Sequence, residues 1–151
     1  MLEQDEMKKL VEEIKRDEGT EIRNGRHVMY IDSEAHETIG IGRLIDPDVP
    51  GAGLRDSEVE QMLQNDLVEM IEEVEKNFPW YLDLPGNAKR ALINQAFNMG
   101  LPRLKTFKNM LASLQEGKFD DAATHALNSK WSQQVGERSN RIAELYRQSA
   151  K

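Results

Sequence analysis

Apolar residues recur at helical spacing near the start of the chain. Met7, Leu10, Val11 and Ile14 fall on one face of a helix running from about Glu3 to Asp17. Gly19 sits where such a helix stops, so Glu18 lies at or just past the last turn. The helix macrodipole disfavours an anion there, and helix stability does not explain the acid. From Ile22 to Ile45 the pattern changes. Asn24-Gly25 marks a tight turn, Val28-Met29-Tyr30-Ile31 reads as a strand, and Asp32-Ser33-Glu34-Ala35 reads as a second turn. Thr38 to Leu44 then reads as the returning strand of a small antiparallel sheet of two or three strands. Asp46 to Gly53, with two prolines and two glycines, is a loop.

Ser57 opens the next helix, with Glu60 three residues on as a capping box. Val59, Met62, Leu63, Leu67, Met70, Ile71 and Val74 give it an apolar stripe, and Pro79 stops it after Phe78. A helix of ~20 residues is ~30 Å long, enough to connect two lobes. Helical patterns follow over Asn87 to Met99, Phe107 to Glu116, Asp120 to Asn128 and Glu137 to Ser149, the first two stopped by Gly100 and Gly117. There is no internal repeat. The architecture expected is α+β and mostly helical, with residues 1–151 as a single domain. Its lobes are a sheet lobe over about 15–56 and a helical lobe over 79–151 plus the N-terminal helix, linked by the helix 57–77. A cleft between unequal lobes is a common place for a site.

Composition removes several classes of function. Of 151 residues, 38% are hydrophobic and 31% charged, a globular balance rather than a disordered one. No apolar run approaches the ~18 residues of a membrane span. The first residues lack the basic and apolar regions of a secretory signal. Without cysteine there are no disulfides, thiol nucleophiles or Cys-ligated metals. Three histidines, His27, His36 and His125, form no HExxH pair, so no metal site is expected. The net charge of −7 argues against nucleic acid as a partner, since phosphate binding needs a basic surface.

Glu18 and Asp32 flank the hairpin-like segment. Hydrolysis of a glycosidic bond needs a proton donor and a second carboxylate across the sugar ring, and these two acids would serve if the hairpin returns Asp32 to face Glu18. Among 27 acidic residues such a pair is not a motif by itself. Thr38, Gly40 and Gly42 also read as ordinary strand and close-packing residues. Phe97, Phe107 and Trp131 lie on helical stripes that suit a core, Arg138 suits a solvated helix face, and His36 and His125 read as surface residues.

The ordered set "RDEG", "YIDSEAHETIGIGRL", "RALINQAFNMG", "FKNML", "FDDAATHALNSKW" and "ERSNRIAELYR" resembles the lysozymes of the T-even-phage type, from about Met7 to Arg147. The resemblance implies a lysozyme-like fold and a muramidase that cuts the β-1,4 bond between N-acetylmuramic acid and N-acetylglucosamine in peptidoglycan, with inversion and without a cofactor. It implies Glu18 as the general acid, Asp32 as the residue that orients water or stabilises positive charge, and Thr38 as a holder of that water. It implies that Arg138 contacts the catalytic glutamate. Leu44, Phe97, Asn98 and Phe107 match positions that contact sugar or shape the cleft. A monomer is expected, accumulating in the host bacterial cytoplasm and reaching the wall through a separate membrane-permeabilising protein. The chain departs from the family pattern in a longer Glu18 to Asp32 interval, in Ala35 where a turn glycine is common, and in Arg43 where histidine is usual. The rival reading is a module of the same fold that holds glycan or a protein partner without cutting it.

Overall fold

The computed structural model describes residues 3–150, an α+β chain of eight α-helices and five short strands among the described residues. Residues up to Glu60 form one compact unit and residues from Gln61 form another.

In the first unit, α1 (Gln4–Asp17) has acids in its first turn and Lys15 and Arg16 in its last, the arrangement that suits the helix dipole. It buries none of its residues, and its stripe of Met7, Leu10, Val11 and Ile14 stays exposed. A two-stranded ribbon follows, β1 (Ile22–Arg23) against β2 (Arg26–His27), turning through Asn24 and Gly25 with φ of 51° and 75°. Positive φ at both central residues is the geometry that Asn-Gly favours. A separate three-stranded antiparallel sheet has the order β3 (Tyr30–Ile31), β4 (Glu37–Ile39), β5 (Arg43–Leu44). Its register pairs Tyr30 with Thr38 and Thr38 with Leu44.

Two expectations fail here. The run Thr38 to Leu44 is not one strand: Gly40 and Gly42 take φ of 64° and 71°, which turns the chain and splits the run into β4 and β5. Val28 and Met29 also fall outside β3.

The helix α2 (Asp56–Asn77) crosses the boundary between the units. Its start is not the box expected from Ser57 and Glu60. Glu58 instead accepts the backbone N–H of Arg55 at 2.8 Å, as a third-position acid does for a helix cap.

The second unit is helical. A 3-10 turn (Pro79–Asp83) leads to α3 (Gly86–Met99), α4 (Leu101–Leu104), α5 (Lys108–Gln115), α6 (Phe119–Leu127), α7 (Lys130–Val135) and α8 (Glu137–Gln148). The 3-10 turn, α4 and α7 carry too few apolar repeats to stand out in the sequence. Helices α3, α5, α6 and α8 pack together around Leu92, Leu104, Met110, Leu114, Trp131, Ile142 and Tyr146. Ala88, Ala91 and Ala96 on α3 and Ala143 on α8 are fully buried, and their small side chains let those helices approach closely. Burying a large apolar side chain contributes ~1.5–3 kcal/mol, so this cluster dominates the stability of the unit. Within it the Tyr146 hydroxyl donates to Gln95 Oε1, pairing two polar groups that burial would otherwise leave unsatisfied.

Candidate active site

Glu18 ends α1. Its backbone N–H donates to Ile14 O at 2.8 Å, and its own φ and ψ of −83° and 144° are already extended. The side chain therefore leaves the helix where the chain turns toward the sheet. It meets Gly42: a methyl group on that glycine would stand 3.0 Å from Glu18 Oε2 and 3.1 Å from its carboxyl carbon. Only a residue without a side chain lets the backbone come this close to the carboxyl. Tyr30 braces the same junction, its hydroxyl donating to Gly19 O at 3.0 Å.

Asp32 opens the turn between β3 and β4, and its side chain organises that turn. Oδ1 accepts from the backbone N–H groups of Glu34 and His36, each at 2.9 Å, while the Asp32 carbonyl accepts from Ala35 N at 3.0 Å. Ala35 holds φ of 65°, the left-handed conformation that the absence of glycine there makes strained. The His36 N–H holds the Asp32 carboxyl below its ordinary value of 3.8. Partial burial opposes this, and the Glu34 N–H, the His36 charge and the Thr38 hydroxyl add to the lowering. The side chain remains 27% exposed, so water can reach the carboxylate.

Thr38, on β4, is only 2% exposed. Its hydroxyl donates to His36 O at 3.1 Å, and the same single proton is the one that can serve the Asp32 carboxylate. Leu44, half-buried on β5, is the direct cross-strand partner of Thr38. Glu18, Asp32, Thr38 and Leu44 thus share the first unit, and the sheet register sets the last three.

The other candidates lie in the second unit. Phe97, exposed on α3, and Arg138, at the start of α8, line an apolar cavity of about 480 Å³ with Leu67, Ile71, Tyr81 and Ile93. Arg138 grips Asn94, with Nε and one terminal nitrogen donating to Asn94 Oδ1 at 2.9 and 2.7 Å. Asn98 accepts from Trp131 Nε1 at 2.8 Å, and Phe107 meets the Trp131 ring edge-on at 6.3 Å. Trp131 itself is core, which leaves Asn98 and Phe107 on a rigid mount.

Some contributors were not visible in the sequence. Gly42 read as a packing glycine, yet what it packs against is Glu18. His36 read as a surface residue but is half-buried, with Nδ1 3.9 Å from Asp32 Oδ2 and 3.8 Å from Glu34 Oε2. His125 is likewise half-buried, beside a polar cavity of about 300 Å³ with Phe107, Asn109 and Asn128. Asn94 carried no signal at all. Gly42 and Asn94 each depend on a partner far away in sequence.

A model described as phage lysozyme matches residues 18–151, a span that contains every candidate above. Two proteins of Dictyostelium discoideum are similar over most of their length. Probable T4-type lysozyme 1 is 31% identical, covering 85% of this chain and 88% of its own. Probable T4-type lysozyme 2 is 29% identical, covering 88% and 90%. The pre-baseplate central spike protein of Enterobacteria phage T4 is 25% identical over 88% of this chain, which corresponds to 26% of that protein.

Proposed function

The chain belongs to the phage lysozyme family and is a lysozyme-type glycoside hydrolase, and from that premise we propose that it is a muramidase. Its substrate in this reading is peptidoglycan, cut at the β-1,4 bond from N-acetylmuramic acid to N-acetylglucosamine. The observation that carries the reading is the pairing of two unlike carboxyl environments in one unit. Glu18 is exposed, makes no hydrogen bond to a neighbouring side chain among the described residues, and stands against Gly42. Asp32 is anchored by two backbone N–H groups that favour its ionised form.

In this scheme the Glu18 carboxyl gives its proton to the glycosidic oxygen as the bond from the anomeric carbon to that oxygen breaks. Asp32 takes a proton from water, and the water oxygen bonds to the anomeric carbon from the opposite face. Thr38 has the hydroxyl to help hold that water. The sugar released carries the α configuration, because attack opposite the leaving group inverts a β linkage. A carboxylate already tied to backbone N–H groups is a poorer nucleophile than a free one, which favours the water route over a covalent one. Leu44, Phe97, Asn98 and Phe107 are the proposed sugar contacts, and Arg138 a supporting residue.

The test is digestion of purified peptidoglycan, followed by reduction and mass analysis of new ends and by NMR of the first anomer. New N-acetylmuramic acid ends in the α form are expected, and Glu18→Gln should lower the rate by ~10²–10⁴-fold. New N-acetylglucosamine ends would refute the bond assignment. A β anomer would make Asp32 a nucleophile. Walls bound but uncut would leave a binding module.

A further inference from the structure

One carboxylate outside this set carries four hydrogen bonds. Glu58, in the first turn of α2, accepts from both terminal nitrogens of Arg43, at 2.8 Å on Oε2 and 2.6 Å on Oε1. It also accepts from the Arg55 guanidinium at 2.6 Å and from the Arg55 backbone N–H at 2.8 Å. The Arg43 guanidinium, and after it that of Arg55, hold the Glu58 carboxyl far below the usual carboxylate range. Its side chain is 25% exposed, whereas that of Arg55 is 73% exposed. Arg43 and Glu58 therefore form the more enclosed half of the cluster, and theirs is the fork geometry that fixes orientation as well as distance.

The position of Arg43 gives this pair its consequence. Arg43 follows Gly42, the residue whose backbone stands against the Glu18 carboxyl. It begins β5 and pairs with Ile39, while Leu44 pairs with Thr38. The loop beyond β5 closes on the same strand, with Gly53 N donating to Leu44 O at 3.0 Å. β5 is only two residues long and is an edge strand of its sheet, so few ladder hydrogen bonds hold it. We propose that Arg43 and Glu58 are positioning residues: their two-pronged pair anchors β5 to the start of α2 and so fixes Gly42 against Glu18 and Leu44 beside Thr38. The inference rests on the proposed hydrolysis, since it assigns a role in aligning the acid. The effect reaches the chemistry through Gly42, not through contact with substrate.

Arg43→Lys separates orientation from charge. Lysine keeps the cation but loses the fork, so β5 keeps only a single movable side-chain bond to the start of α2. Misplacing a catalytic group by ~1 Å can cost ~10²-fold, and a partly retained tether should cost about tenfold in kcat. The apparent KM for walls should change less than kcat, because Leu44 is the one proposed sugar contact on β5 and it is loosened rather than removed. Glu58→Gln should act in the same direction, and Arg55→Lys should leave kcat within about twofold. Thermal melting run in parallel identifies any variant that has failed to fold, and Arg43→Lys is the change least exposed to that failure. An Arg43→Lys protein that is folded and retains its kcat, or whose loss lies wholly in KM, overturns the inference while leaving the hydrolysis intact. A wild-type protein that releases no reducing ends overturns both.

Discussion

Gly42→Ala tests the approach of the glycine to Glu18 in the most direct way. The substitution has two effects whose sizes can be separated. The backbone stays at φ of 71°, a conformation that costs an L-residue ~1–2 kcal/mol. The new methyl would stand 3.0 Å from Glu18 Oε2, about 0.5 Å inside the ~3.5 Å contact that packed atoms prefer. The Glu18 side chain is exposed and has room to swing, so the clash adds little to the stability cost. It moves the acid instead. A displacement of that order from a near-attack position should lower kcat by roughly 10- to 100-fold.

Gly40→Ala is the matched control. Gly40 has φ of 64°, nearly the same strain, but a methyl there meets nothing within 4 Å. Both variants should melt a few degrees below the parent, and only Gly42→Ala should lose turnover. The assay is reducing-end release from purified walls, with melting followed by circular dichroism on the same samples. Equal activity in the two variants would show that the Gly42 approach does not position Glu18, whatever the shared loss of stability.

Ala35→Gly should raise stability by up to ~1 kcal/mol, because it removes left-handed strain at φ of 65°; a denaturant midpoint that falls would refute the strain. The pH dependence follows from Asp32, whose folded value lies below 3.8. Its contribution to stability is complete above that unfolded value and is lost as pH falls through the lower folded one. Asp32→Asn should therefore flatten the acid side of the stability profile, and an unchanged profile would sink the assignment. Removing residues 22–27, an exposed ribbon, should leave the β3–β5 sheet folded, as judged by amide exchange of Thr38. Loss of that protection would mean the ribbon braces the sheet.

How much of this was legible in the residues alone differs by element. The periodic stripes of α1 and α2 and the glycine stops after α3 and α5 are local signals, and those helices lie within a residue or so of where the pattern puts them. Helix formation depends on hydrogen bonds four residues apart, so a window of sequence contains most of what decides it. Asn24-Gly25 announced its turn for the same reason: the preference for positive φ belongs to the residues themselves. The resemblance in ordered motifs marked the family, and the family model matches residues 18–151.

The site was less legible. Glycine permits both a close-packed strand and a left-handed turn, so "TIGIG" could not announce that it would break at Gly40 and Gly42. Glu58, not Glu60, caps α2, because Arg43 and Arg55 converge on it and a capping pattern does not see a partner 15 residues away. Asp32 as a turn acid was readable from its short side chain and the polar residues after it. Its ionised bias was not, since that depends on where the N–H groups of Glu34 and His36 point. The contact between Glu18 and Gly42 was the least visible of all. Twenty-four positions separate them in the chain, and their meeting depends on the end of α1, the brace from Tyr30 and the register of β5 acting together. Local chemistry is written residue by residue. The distance from a carboxyl to a backbone atom on another strand is a property of the folded chain, because every intervening dihedral contributes to it.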